Sequence, residues 1–521
     1  MHFRTSGERV IAFQSILSTE TVGEQKVLEV PDFFRDLNLD QIVDRIVHGA
    51  YSQYDLTPFF LAPLDDLDAI AYRQEVARDI ERDEVLVCIK TFSEGIQGVR
   101  KHIDGANKAY YPLEGQRWFL GAAETYVQAV NHFVARLSPL NLASRGLRGW
   151  RDWLQEYANS AYFRGLDAKT TRLATNLAQI RYCVHIDGTD VNVRGYREET
   201  DYTSLVEGTF GKFWRRSQTS YLAPMCVGER GLNRVESQIL ERVARLNPDV
   251  FAALEAFCTD QAGFLDATLT RFDREVQFYA AYFEYINRVR QVDLPFCYPT
   301  LSRDSKAIES RNGFDLALAY KLATDLKRVV CNDFFLSGTE RILVVSGPNH
   351  GGKTTFARTL GQLHYLARLG LPVPGDVARL FLCDRIFTHF ERVEDIFDLR
   401  GKLHADLVRI HHILDEATQS GIIILNEIFA STTLKDAVFL TKKIMTRLSA
   451  LDAIAVCVTF LSELSTYDEK TVSLLAIVNP DDPSTRTFKV ERRPADGMAY
   501  ALVVATKHGV TYEQLKEHLA S

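Results

Sequence analysis

Two kinds of hydrophobic pattern divide the chain. From about residue 33 to 175, apolar residues recur at helical spacing with charged faces between them, as in "LDAIAYRQEVARDIERDEVLVCIKTFSEGI". A second helical stretch runs from about 230 to 290, interrupted near 247–249, where Pro248 cannot continue a helix. Between them, "IRYCVHIDGTDVNVRGY" alternates around a "DGTD" turn and predicts a β-hairpin. The segment 292–304 predicts a loop-rich join. Beyond it the pattern becomes α/β. Strands at 342–346, 422–425 and 454–459 alternate with helices at 353–368, 403–418 and 435–450. Strands apolar on both faces suit a sheet covered on both sides. The fold class is therefore multidomain α plus α/β, divided at 1–30, 31–178, 179–228, 229–300 and 301–521. The first 30 residues predict a short irregular or strand-bearing lead.

Composition narrows the function classes. The 521 residues are 46% hydrophobic and 25% charged, which describes globular domains, roughly two to four of them. A net charge of −7 argues against a globally basic nucleic-acid coat and leaves room for a local basic patch. The cysteines, at 88, 183, 226, 258, 297, 331, 383 and 457, are scattered and form no CxxC pair. Reduced thiols in a cytoplasmic protein are the expectation. The opening "MHFRTSGERVIAFQ" lacks the apolar centre of a signal peptide, and no uncharged apolar run has the length of a membrane span, so no membrane partner is expected.

The densest chemical signal is "ILVVSGPNHGGKTTFARTL". Gly347, Pro348, Asn349, His350, Gly351, Gly352, Lys353 and Thr354 fit G-x-x-x-x-G-K-[ST], after an apolar strand and at the start of a helix. Such a loop turns backbone N–H groups toward phosphate oxygens, and the helix start adds partial positive charge. Lys353 would reach the β and γ phosphates of ATP, with the Thr354 hydroxyl on Mg2+ and Thr355 completing the loop.

The loop "GPNHGGKTT" resembles the MutS form, GPNMGGKST. Three further blocks agree: "VCNDFFL" at 330–336, "LPVPGDVARLFLCDRIFTHFERVEDI" at 371–396, and "ADGMAYALVVATKHGV" at 495–510. The resemblance is close over about 330–515. It implies an ABC-type P-loop ATPase domain at 301–521. It also implies core and first lever helices at 31–178, a small β-containing clamp at 179–228 and second lever helices at 229–300. By the same resemblance Glu427 would polarise the attacking water. Asn426 stands where the family has a magnesium-supporting aspartate, and it keeps an acceptor oxygen without the charge. The signature serine becomes Gly401, followed by Lys402, and the switch histidine becomes Phe460. The implied protein binds ATP and hydrolyses it slowly.

His404, His411 and His412 share one predicted helix without a complete metal-ligand pattern, so solvated histidines are expected. Phe92-Ser93-Glu94 matches the letters of the family's mismatch wedge but lies in an amphipathic helical run, and too few residues precede the core helices to form the wedge domain. The resemblance implies backbone contacts to DNA by the clamp, with Arg194, Arg197, Lys212, Arg215 and Arg216 as the candidate cations beside Phe213 and Trp214. Asp187, Asp190, Glu198, Glu199 and Asp201 lie among them, so an ordinary charged surface stands as the other reading. The family builds composite sites from two subunits, which implies a homodimer through the ATPase domains. The competing expectation is a nucleotide-sensing scaffold with little hydrolysis that recruits a protein partner. A phosphotransferase on the same loop finds no acceptor motif.

Overall fold

The computed structural model describes residues 13–19, 29–188, 190–198, 231–391, 401–479, 485–495, 511–512 and 516. These fall into two compact units whose ranges interleave in sequence. One takes its described residues from Met1–Phe13, Asp83–Asn141 and Gly149–Asp273; the other from Gln14–Arg82, Leu142–Arg148 and Arg274–Ser521.

The first unit is helical with one hairpin. Helices Asp83–Lys108 and Pro112–Leu137 pack along each other. Phe92 stacks on Phe133 at 4.3 Å between ring centres, and Trp150 stacks on Phe272 at 3.8 Å. Phe92 is thus a core residue, 1% exposed, and its ring is spent on packing. The hydroxyls of Tyr126 and Tyr157 meet at 2.8 Å, which satisfies both in an apolar interior. Asn233 caps helix Arg234–Leu246 in a capping box with Glu236. Pro248 opens the next helix, Pro248–Asp260, in the first turn where its missing N–H costs nothing. The predicted hairpin forms from Tyr182–Asp187 and Asp190–Gly195, with Asp187 opposite Asp190.

The second unit is built on a six-stranded sheet in the order Ile386–His389, Ile422–Asn426, Ile454–Val458, Ile342–Ser346, Thr471–Val478 and Arg486–Glu491. All neighbours are parallel except the last pair. Ile342–Ser346, Ile422–Asn426 and Ile454–Val458 are buried at every residue, the signature of a sheet covered on both faces. Ile342, Val344, Ile423, Leu425, Ala455 and Cys457 pack under helices Lys402–Glu416 and Leu434–Leu451. Helix Lys353–Arg368 packs against the sheet through Gly361, where a Cβ would lie 2.9 Å from the Ile424 side chain. Each buried Ile or Val contributes about 1.5–3 kcal/mol, so these strands contribute substantially to the unit's stability.

The segment 292–304, expected to be loop-rich, carries strands Phe296–Cys297 and Thr300–Ser302. The second joins a four-stranded sheet with Val377–Phe381, Ile308–Gly313 and Asn332–Leu336. The strands are too short to show alternation, and their partners are distant in sequence. Near the start of the described chain, Asp36 is buried in this same unit. Its carboxylate accepts from the Thr388 hydroxyl at 2.7 Å and from Arg409 at 2.9 Å, and Arg358 donates to its carbonyl. No helix among the described residues is long and apolar enough to cross a membrane. The described cysteines are free thiols.

Candidate functional site

The glycine-rich loop leaves the central strand Ile342–Ser346 and enters helix Lys353–Arg368. Gly347 has φ 120° and Gly352 φ 93°, a region in which glycine alone is unstrained. A Cβ on Gly347 would lie 2.9 Å from the Ala476 carbonyl oxygen, so the adjacent strand fixes this position as glycine twice over. His350 holds φ 60° between them and is exposed, as is Asn349.

Lys353 opens the helix and is 4% exposed. Its ammonium donates to the carbonyls of Gly347 at 2.9 Å and Pro348 at 3.2 Å, and lies 3.7 Å from Glu427 Oε1. Burial lowers its pKa; Glu427 pulls it back up and the positive charge of Arg486 pushes it down. The Thr354 hydroxyl donates to Asn426 Oδ1 at 2.9 Å. Asn426 ends strand Ile422–Asn426 and is 7% exposed. Glu427 follows at φ 51°, its N–H bonded to the Val458 carbonyl at 2.9 Å, and Phe429 is also left-handed at φ 59°. A non-glycine residue in that region costs on the order of 1 kcal/mol or more, and such strain gathers at functional turns.

The loop lines a cleft of about 810 Å³. Asn349, His350, Gly351, Gly352, Lys353, Thr354, Thr355 and Glu427 form its polar side. Leu318, Leu322, Val329 and Val330 supply apolar wall, with Arg328, Asn332 and Phe488 beside them. Polar loop and apolar wall suit a ligand with a charged end and a flat apolar end. Thr354 and Asn426 are hard oxygen donors within hydrogen-bond distance of each other, a pair that fits a magnesium ion, though neither carries charge.

The structure therefore gathers Asn349 to Thr355 and Glu427 around one cleft, with Gly347 and Pro348 bonded to Lys353 and Asn426 bonded to Thr354. Lys402 forms an ion pair with Glu391. Gly401 and Phe460 are exposed, Phe460 at 49%. His411 and His412 pair with Asp415 and Glu416 one turn along their helix, and no group of three or more His, Cys, Asp or Glu that could hold a metal occurs among the described residues. Arg194 and Arg197 are exposed on and just after the hairpin. Lys212, Phe213, Trp214, Arg215 and Arg216 lie outside the described residues, as does 396–400 of the signature block.

Two residues near the loop escaped the sequence reading. Arg486 donates to the Asn349 carbonyl at 3.1 Å, and Asn332 ties strand Arg486–Glu491 to its own strand, donating to the Phe488 carbonyl and accepting from Val490 N–H. Arg486 has no fixed spacing from the loop motif. Asn332 lay within a family-like block whose role the motif did not state.

A parallel sheet with a phosphate-type loop between central strand and helix defines the P-loop class. Residues 343–517 match the family model for MutS domain V. That domain is the ATPase domain of MutS-like proteins. MutS proteins in general bind DNA and form dimers.

Proposed function

We propose that this protein is a MutS-like ATP-binding protein, without a Phe-x-Glu mismatch wedge, that couples nucleotide binding and slow hydrolysis to DNA binding. The observation that carries the nucleotide site is the convergence of Lys353, Thr354 and Glu427 on one cleft, with Asn426 bonded to Thr354 behind them. In this reading the amides of Gly347 to Thr355 hold the ATP phosphates and Lys353 exchanges its loop carbonyls for them. Thr354 and Asn426 would hold magnesium, which neutralises phosphate charge when bound. Glu427 orients a water and takes its proton as the water attacks the γ phosphorus, the bond to the β–γ bridging oxygen breaks and ADP leaves with that oxygen. Asn426 in place of a carboxylate weakens metal support and keeps turnover slow.

A dimer through the ATPase domains is part of the proposal. Leu434, Phe439 and Phe460 are exposed at 65%, 61% and 49%, apolar side chains that a second subunit would cover. DNA would be held by its backbone through the clamp region that includes Arg194 and Arg197. A cytoplasmic location belongs to the same proposal. Phe460 also favours a second reading, a nucleotide-sensing scaffold with little hydrolysis, because a phenyl ring cannot hydrogen-bond a phosphate.

Steady-state ATPase with and without branched DNA separates the two. The first reading predicts DNA-stimulated turnover that falls roughly a hundredfold or more in Glu427→Gln, with ATP binding retained. Tight ATP binding with no turnover dependent on Glu427 contradicts it and favours the scaffold.

A further inference from the structure

The Asn349–His350 peptide is trans, and a planar trans peptide points its C=O and N–H in opposite directions. Arg486 Nε donates to the Asn349 carbonyl at 3.1 Å, so that carbonyl is turned toward the strand Arg486–Glu491. The His350 N–H in the same plane is thereby turned away from it. Successive N–H groups aimed to one side, with a residue in the left-handed region among them, form the nest that binds anions. His350 at φ 60° has that conformation and lines the cleft. The strand also lies close to the loop at Gly352, where a Cβ would meet the Phe488 carbonyl oxygen at 3.6 Å. Arg486 brings a charge as well as a hydrogen bond, and its field is felt at Lys353.

We propose that Arg486 is a positioning residue for the nucleotide phosphates. It fixes the Asn349–His350 peptide with its N–H available to a phosphate oxygen and adds positive charge at the loop. This rests on the reading of the cleft as a nucleotide site. An unsupported peptide at this point is free to flip and set a carbonyl dipole against the phosphates. Arg486 removes that freedom before the ligand arrives.

The test is titration of the full chain with ATP, ADP and AMP at two salt concentrations, for native protein, Arg486→Gln and Arg486→Lys, with thermal melts of each. The expected result for Arg486→Gln is an ATP affinity lower by about tenfold or more, since a charge-assisted bond and a nearby charge are both lost. The loss is smaller for AMP, and the salt dependence of ATP binding is shallower. Arg486→Lys keeps charge and a donor and binds ATP within about threefold of native, which holds the proposal open to refutation even if the glutamine variant does not fold. Unchanged ATP affinity in Arg486→Gln overturns the proposal. So does an equal loss for all three nucleotides in both variants, which would mark a purely structural role. Native protein that binds none of the nucleotides overturns the site itself, a distinct outcome from native binding that is indifferent to Arg486.

Discussion

The Thr354 hydroxyl donates to Asn426 Oδ1 at 2.9 Å, across the gap between the start of the phosphate-loop helix and the end of the neighbouring strand. In the proposed site this pair would support magnesium with a neutral amide in place of a carboxylate. Asn426→Asp introduces a carboxylate without changing the shape. The half-saturating Mg2+ concentration for ATP turnover should fall about tenfold, on the order of 1.4 kcal/mol. Turnover at limiting Mg2+ should rise. A Mg2+ titration of steady-state hydrolysis in both proteins measures it, and coincident curves would show that the missing charge is not limiting.

Asp36 sits far from the loop in sequence and is part of the same unit's core. It satisfies Arg409 and Thr388 from a four-residue helix, Phe33–Asp36. Asp36→Ala leaves the half-buried Arg409 guanidinium with the Thr388 carbonyl but no counter-charge and should cost about 3 kcal/mol, the usual penalty for removing one partner of a buried pair. Asp36→Asn keeps an acceptor and should cost less. Urea unfolding of the three proteins tests the order; equal midpoints would mean the N-terminal helix contributes little.

Much of the ATPase core was legible in the sequence. The strands at 342–346, 422–425 and 454–459 and their three helices are found within a residue or two, because continuous apolar runs between turn signals have few alternatives. The loop motif fixed the position of Lys353 for the same local reason. What the sequence did not disclose is long-range. Strand Thr300–Ser302 is defined only by its partner Val377–Phe381. Asp36 meets Thr388 and Arg409 more than 350 residues later, and Arg486 meets Asn349 across a separation of 137. Such pairs have no periodicity or spacing rule. Phe92 was the reverse case. Its triplet has the letters of a motif but lies in an amphipathic helical run, and the structure puts its ring in a core.

Asp452 predicts a pH dependence. It turns the chain at φ 60° ahead of strand Ile454–Val458 and faces Lys306, Lys470 and Arg341. Burial works to raise its pKa. Hydrogen bonds from Lys470, Lys306 and Arg341 outweigh it and hold the carboxyl well below the ordinary 3.8. A carboxylate with a depressed folded-state pKa stabilises the fold above the unfolded value, and that stability is lost as pH falls toward the folded one. Native protein should exceed Asp452→Asn in stability by a constant amount from about pH 5 to neutrality, with the gap closing as pH drops below 3.8. Melting temperatures across that range measure it. A gap that widens on acidification would reverse the assigned sign.

Calorimetric titration of ATP into the native protein and into Lys353→Met bears most directly on the nucleotide site. Saturable binding in the native protein, weakened at least about a hundredfold when the buried ammonium is removed, is the predicted result. Native protein that takes up no heat and gains no thermal stability at millimolar ATP, or a Lys353→Met variant that binds as well as native, would contradict it.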